Sequence, residues 1–545
     1  MAASASTLGR SGPQRDTPKL MLGGYAAMAE SAWMGSVQAS EVLEPIRVAP
    51  AARRGQVVIP RLPRVRLSEL LTREFTIAEA SFILMASFFL SAALGAVRQV
   101  LFNAQFGVGA EANAYYAAFR LPDTLFSLIA GGALSSAMIP VLLSTVREEG
   151  EEAGGRLINM VLTILLAFFA LIVLMGEIFA PAFVTGLLAP GFDPATNALT
   201  VALTRIMLIQ PLILAAGAVA TAVLNSRNRF LLTALSVVSH NIALIAGILA
   251  VKLFPGLGIY GPTLGVVGGG ALQAMILLPG LFGREFHFRP IWDVWNRRLR
   301  ELVRLLIPNG LSVSVNYAGF IVDTAFASRA PELAGLPALY NAWLLVGLPI
   351  ALLGQAVGQA AFPRLAAHAD AEDWPRMQRT LWQSLGAVIG LAIPAFLALY
   401  FLGRPVIHLL FERGKFTAEA GNLTYEVLII YALALPAYVS TEVITRGLIA
   451  LRDTRTPLLT NILQLIGRIA IMALLVGRWG IIIIPAALAI TATLETITLG
   501  IVLLFKLRGL KLITVSGNGP QPGVDLDDSA ALLDLMEKSD DTARR

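Results

Sequence analysis

Nine charged residues stand inside apolar sequence: Arg98, Arg120, Asp123, Arg205, Asp323, Glu442, Arg446, Arg468 and Glu495. An ion at mid-membrane depth costs about 3 kcal/mol on insertion scales, so its side chain normally faces protein or a water-filled cavity. Arginine in such a place suits phosphate oxygens, which its planar fork holds bidentately. Arg98 has no acidic neighbour in sequence and is the first candidate for an anionic ligand. Arg120 and Asp123 flank Pro122, and Glu442 and Arg446 fall on one helix face, spacings that allow ion pairs within a helix. Arg205 has the reach to snorkel to an interface.

Motifs for covalent chemistry are missing. The chain has no phosphate-cradling P-loop, no HExxH and no GxSxG. It has no cysteine, which excludes disulfides and cysteine-ligated metals, and its four histidines include one in an apolar run, His240, read as a packing residue. The expectation is a protein that is not an enzyme and uses no cofactor. Without a nucleotide site, any active transport must draw on an ion gradient, the membrane potential or the substrate's own gradient.

The elements that must position these charges are membrane helices. Of 545 residues 56% are apolar and only 14% charged, with mean hydropathy +0.70, against roughly a quarter charged in ordinary globular chains. The net charge of +6 sits in loops between apolar runs, so topology explains it and a nucleic-acid partner is not expected. Twelve apolar segments are predicted, near 76–106, 114–143, 157–184, 197–224, 229–253, 258–283, 302–328, 337–362, 381–403, 424–450, 457–477 and 480–506. The first is long enough to require a tilt or a bend at Gly95. Even-numbered loops carry the Arg and Lys excess, among them Arg147, Arg227, Arg297, Arg364 and Arg452, which puts both termini in the cytoplasm. The ninth loop, with Arg404, Arg413 and Lys415, is the exception.

Residues 1–74 read as a disordered basic cytoplasmic extension with no cleavable signal peptide, and 508–545 as an acidic cytoplasmic tail. Between them the expected order is a six-helix lobe at 75–283, an amphipathic linker at 284–301 carrying Trp292 and Trp295, and a second six-helix lobe at 302–507. The halves look alike. A basic turn joins apolar helices at Leu224–Phe230 and again at Ala450–Pro457, and the second and eighth spans both close on proline, Pro140 and Pro363. Six spans per half is even, so the repeats are parallel and a cavity lies between them.

The chain resembles the MurJ/MviN family of lipid II flippases in the MOP exporter superfamily. The resemblance rests on Ser-x-x-Leu-Gly-x-x-Arg at Ser91–Arg98, AFRLPD at Ala118–Asp123, GALSSAMIP at Gly132–Pro140, APGF at Ala189–Phe192, LNSRNRF at Leu224–Phe230, GKFTAEA at Gly414–Ala420 and ALRDTRTP at Ala450–Pro457, in order over about residues 75–507. It implies an all-α polytopic membrane protein of about twelve spans, two parallel six-helix lobes around a central cavity, in a bacterial inner membrane. The implied activity is alternating-access export of an undecaprenyl-diphosphate-linked peptidoglycan precursor. The implied partners are that anionic lipid-linked substrate, membrane lipids and cell-wall synthesis proteins.

The departures bear on function. Of the cavity arginines that the resemblance implies, only Arg98 is kept; the others fall on Ala92, Phe126 and Leu344, and an acidic position of the second span is Asn113. The thirteenth and fourteenth helices usual in the family are not predicted. The sodium site that the resemblance implies falls on Asp323, but its partners fall on Arg468 and Met472, so Arg468 is expected to replace the ion and no metal is expected. Candidate substrate contacts are therefore Arg98, Arg120, Asn113 and Asp123. Candidates for coupling or for bracing the lobes are Asp323, Arg468, Glu442 and Arg446. A flippase for another lipid-linked glycan or amphiphile, or a non-transporting scaffold of the same fold, remains as the alternative.

Overall fold

In a computed structural model, residues 75–130, 133–281, 288–332 and 334–515 are described. The basic extension, Gly131–Gly132, residues 284–287 of the linker and the acidic tail from 516 lie outside them. The described residues form fifteen α-helices and no strand. They are α1 (Ile77–Phe106), α2 (Ala110–Ala130), α3 (Ala133–Glu149), α4 (Glu151–Phe183), α5 (Pro194–Ser226), α6 (Phe230–Leu253), α7 (Tyr260–Leu281) and α8 (Arg297–Ala327). Then follow α9 (Gly335–Pro349), α10 (Ala356–Asp370), α11 (Trp374–Leu410), α12 (Ala418–Leu433), α13 (Leu435–Ala450), α14 (Arg455–Trp479) and α15 (Ile483–Val515).

Among the described residues, eight helical stretches are long and apolar enough to cross a membrane, nine when the pair α12–α13, bent by 43°, is one span. One of the eight, Arg455–Gly509, runs 55 residues, which as a single helix would reach about 80 Å against a hydrocarbon core of about 30 Å. It is a hairpin: Gly480 has φ +58° and Thr460 on α14 donates to Glu495 on α15 across it. The helices thus follow the twelve apolar segments in order, α2 and α3 lying in one segment on either side of Gly131–Gly132, and α9–α10 and α12–α13 each covering one segment in two pieces. Between α9 and α10 the chain passes through a π-helical stretch, Ile350–Gln355, directly after Pro349.

The first span, α1, is one helix of 30 residues that runs unbroken through Gly95, capped by a box in which Thr76 and Glu79 satisfy each other's backbone amides. One expectation differs from the structure. The middle loop is no amphipathic helix over 288–296. Pro290 lies there, and the amides of Arg289 and Ile291 donate instead to Asn159 Oδ1 (3.0 Å) and Thr163 Oγ1 (3.1 Å) on α4. Helix resumes only where Asn296 caps Arg298 and Leu299.

Helix α8 does not stay with one half. Leu299 and Leu302 pack into a core with Leu142, Leu157 and Val223, whereas Phe326 and Ala327 belong to a core shared with Leu336, Tyr431 and Met472. At its basic end Arg298 bridges Glu148 (2.6 Å), Glu149 (2.7 Å) and Glu301 (3.5 Å). Hydrogen bonds from that guanidinium hold the exposed Glu148 carboxyl below the usual carboxylate range, so this clamp weakens as pH falls through it.

The far end is sealed by backbone. The amide of Lys415 donates to Ala104 O (2.9 Å) and that of Gly191 to Ser328 Oγ (3.0 Å). The loops after α4 and after α11 therefore each lie across the end of the opposite half's first helix. Side chains are excluded there: a Cβ on Gly414 would stand 2.1 Å from Ala104 O, one on Gly191 2.3 Å from Ser328 O. Two of the ninth loop's basic residues are also accounted for locally, since Arg404 pairs with Glu412 (2.6 Å) and Arg413 donates to Leu409 O (2.8 Å). Gly414→Ala, which also imposes a Cβ at φ +59°, is expected to cost about 2 kcal/mol or more. Thermal unfolding in detergent measures this, with Gly155→Ala, where nothing lies within 4 Å, as the silent control.

Candidate functional site

The motif Ser91–Arg98 presents Ser91, Gly95 and Arg98 on one face of α1, at helical spacing. All three meet Asn241 of α6. Asn241 Nδ2 donates to Ser91 Oγ (2.9 Å), Gly95 clears the space beside Asn241 Oδ1, and Arg98 Nη1 donates to that oxygen (3.2 Å). The motif thus aims the guanidinium. Its other nitrogen, Nη2, donates to Tyr340 OH on α9 (3.3 Å). Around it Phe102, Tyr115, Phe119 and Leu244 leave a crevice of only about 10 Å³, so Arg98 does not open onto a large cavity in this conformation.

Arg120 stands on the other side of Tyr340. Its guanidinium lies over the rings of Tyr340 (5.6 Å) and Phe320 (5.5 Å), and Nε donates to Thr324 Oγ1 (3.2 Å). It does not pair with Asp123, although both line a chamber of about 210 Å³ together with Tyr317, Asp323, Trp343 and Leu344. Tyr340 lines both spaces, and so joins the two arginines through one side chain.

The Asp323 carboxylate, on α8, is bound by Arg468 of α14 in a buried ion pair. Gly319, one turn earlier on α8, makes room: a Cβ there would stand 2.9 Å from Arg468 Nη1. The pair is a partition. Asp323 lines the 210 Å³ chamber, while Arg468 lines a second chamber of about 840 Å³ that extends to the α13–α14 turn at Thr454. Phe320 and Trp343 are walls of both. Glu442 and Arg446 line the larger chamber and pair loosely with each other at 3.9 Å, as their spacing predicts.

Other expected residues fall elsewhere. Asn113 is buried on α2 and lines neither chamber nor the crevice. Arg205 reaches Glu177 on α4, pairing at 3.5 Å and donating to its carbonyl. His240 stacks on Phe126 (6.3 Å) against Gly269, as a packing residue does. Sequence reasoning missed Tyr340 and the knot beside it, where Gln99 Nε2 and Asn103 Nδ2 both donate to Asn341 Oδ1 (2.7 and 3.0 Å). Buried glutamine and asparagine four apart on α1 were the available signal.

Polytopic helices, two similar halves meeting at a polar chamber, and charges buried in its walls define a membrane transporter. Its fold is that of the MOP superfamily. An inward-facing MATE multidrug transporter of that superfamily superposes with TM-score 0.68 at 13% identity, over 77% of this chain and 95% of that one. The inward closed conformation of a lipid II flippase MurJ gives 0.66 at 23% identity, over 84% and 97%. The chain belongs to the lipid II flippase MurJ family, whose model matches residues 102–516. The lipid II flippase MurJ of Burkholderia cenocepacia is 30% identical over 375 residues, 68% of this chain and 72% of that protein. A probable lipid II flippase MurJ of Rhizobium meliloti is likewise 30% identical, over 67% and 69%.

Removing one partner of a buried ion pair strands the other and costs about 3–5 kcal/mol, whereas removing both is close to neutral. Arg468→Met and Asp323→Asn are each expected to lower thermal stability in detergent sharply, and the double variant to recover most of the loss. Additive losses in the double variant would break the assignment.

Proposed function

We propose that this chain moves lipid II, an undecaprenyl-diphosphate-linked peptidoglycan precursor, between leaflets of a bacterial inner membrane by alternating access. What carries the reading is the pair of guanidinium groups joined through Tyr340 where α1 and α2 meet α8 and α9. Phosphate oxygens suit that arrangement, and the related flippases support the identity of the lipid. In the proposed cycle the basic end, taken as cytoplasmic with both termini, opens by releasing the Arg298 clamp. The anionic head group then draws Arg120 and Arg98 off their resting partners Thr324, Asn241 and Tyr340. Opening of the glycine-sealed end releases it. Two lobes, 75–283 and 302–507, would rock about α8, which packs against both. Partners among cell-wall synthesis proteins belong to the same proposal.

The residues around Asp323 do not fit a sodium ion. One carboxylate oxygen is held by the Arg468 guanidinium, Met472 offers a thioether where an oxygen donor is needed, and no group of three or more His, Cys, Asp or Glu suited to a metal occurs among the described residues. Arg468 is proposed to act as a tethered cation there. Replacing potassium by sodium is expected to leave thermal stability unchanged; sodium-dependent stabilisation of the wild-type protein would end that proposal.

One observation favours a second substrate. Leu344, where the resemblance implies an arginine, lines the 210 Å³ chamber, and Phe126 is engaged with His240, so the chamber holds a single arginine beside Asp123 and Asp323. A lipid-linked glycan of lower charge suits such a wall. Complementation decides between them. With the resident lipid II flippase of a test bacterium shut off, expression of this chain is expected to restore growth and outer-leaflet lipid II. Arg98→Ala and Arg120→Ala should each lower transport about 10- to 100-fold, the worth of one charge-assisted contact, while folded protein in the membrane stays near wild type. No rescue by folded protein would favour the second substrate.

A further inference from the structure

We propose that the 840 Å³ chamber receives an ammonium-bearing part of the transported head group, with Glu495 as its counter-ion. The inference rests on the reading that a lipid-linked head group is the cargo, and concerns the end of it remote from the diphosphate.

The charges of the chamber carry the argument. Arg468 is paired with Asp323, and Arg446 lies 3.9 Å from Glu442 on the same helix. Glu495 of α15 is the remaining ion in the wall. It is 8% exposed, accepts one hydrogen bond from Thr460 Oγ1 (3.2 Å), and has no arginine or lysine within pairing distance among the described residues. A carboxyl group taken out of water either keeps its proton or takes a cationic partner, and an amine arriving there can take up that proton and pair with the carboxylate it leaves. With the other charges matched one to one, Glu495 is the unmatched group of the chamber.

Size and donor set decide what kind. A dehydrated metal ion needs several converging oxygens, and Glu495 with Thr460 supplies too few. A space of about 840 Å³ is instead of the size that holds an organic ligand. Thr441, Thr445, Asn461 and Gln464 line it with neutral donors and acceptors suited to sugar hydroxyls and peptide amides. Phe320 and Trp343 wall both chambers, so the Glu495 chamber adjoins the one at Arg120, and a head group anchored there by its diphosphate reaches Glu495 when that shared wall parts in the transport cycle.

The test uses the full-length protein in nanodiscs and three lipids: undecaprenyl diphosphate, its disaccharide-pentapeptide conjugate with a free lysine amine, and the same conjugate with that amine acetylated. The readout is the ratio of dissociation constants for the acetylated and free-amine conjugates. In the wild type it is expected to be about 10 to 30; in Glu495→Gln it should collapse to about 1, and Glu495→Asp, which keeps the charge, should restore part of it. A wild-type ratio near 1 overturns the inference whether or not any variant folds, and so does a ratio that survives in Glu495→Gln. Undecaprenyl diphosphate separates the two readings. If the wild type ignores it yet discriminates the amine, the diphosphate reading fails and Glu495 stands. If the wild type binds none of the three lipids, both fail.

Discussion

A carboxylate and a guanidinium buried against each other at membrane depth constrain everything around them. Asp323 and Arg468 sit on α8 and α14, far apart in sequence, and neither can lose the other without leaving a bare ion in apolar surroundings. Gly319 follows from that pairing, because a side chain at that point on α8 would collide with the guanidinium. The two chambers follow as well, since the pair together with Phe320 and Trp343 forms the wall between them. Arg468, proposed above as a tethered cation at this point, braces α8 against α14 through its pair with Asp323.

The arginines in the other half are held differently. Arg98 and Arg120 have neutral partners, namely Asn241, Tyr340, Thr324 and two aromatic faces. Neutral hydrogen bonds to a guanidinium are weaker than those to a phosphate, so these residues are oriented by partners that a phosphate can replace. Under the proposed function, both can exchange an amide or a hydroxyl for the stronger bonds of a phosphate. Tyr340 makes the two arginines one unit, because displacing either changes the side chain on which the other rests.

Much of this was legible in the sequence where the cause is local. The twelve apolar runs are set by bilayer thickness, and each reappears as a helix or a broken helix. The Ser91–Gly95–Arg98 face is written by helical spacing alone. The Asp323–Arg468 pairing came from the family resemblance, since neither residue has a local partner to betray it. Tyr340 and Asn341 escaped because their partners on α1 lie about 240 positions away, and no periodicity encodes a contact across that distance. The middle loop misled for a physical reason. Its tryptophans and arginines read as an interfacial helix, but Asn159 and Thr163 on α4 offer its amides better acceptors than a helix containing Pro290 would. Trp292 and Trp295 are nonetheless exposed, as interfacial anchors are.

The two ends of the molecule are closed by unlike means, and this biases which one yields. At the basic end, the Arg298 clamp joins side chains whose carboxylates are half exposed, and ion pairs of that kind contribute about 1 kcal/mol or less each. At the other end, backbone lies against backbone at Gly191 and Gly414, and behind that seal stands the knot of Gln99, Asn103, Tyr116 and Asn341. Parting those surfaces separates several buried polar groups at once, each of which must find water before the next is released. Such an interface opens as a unit or stays shut. In the proposed cycle the basic end is thus the more weakly held one, and opening of the sealed end draws on the cargo's own contacts to offset the broken knot. That order of events is what a one-way exporter of a large anionic head group requires.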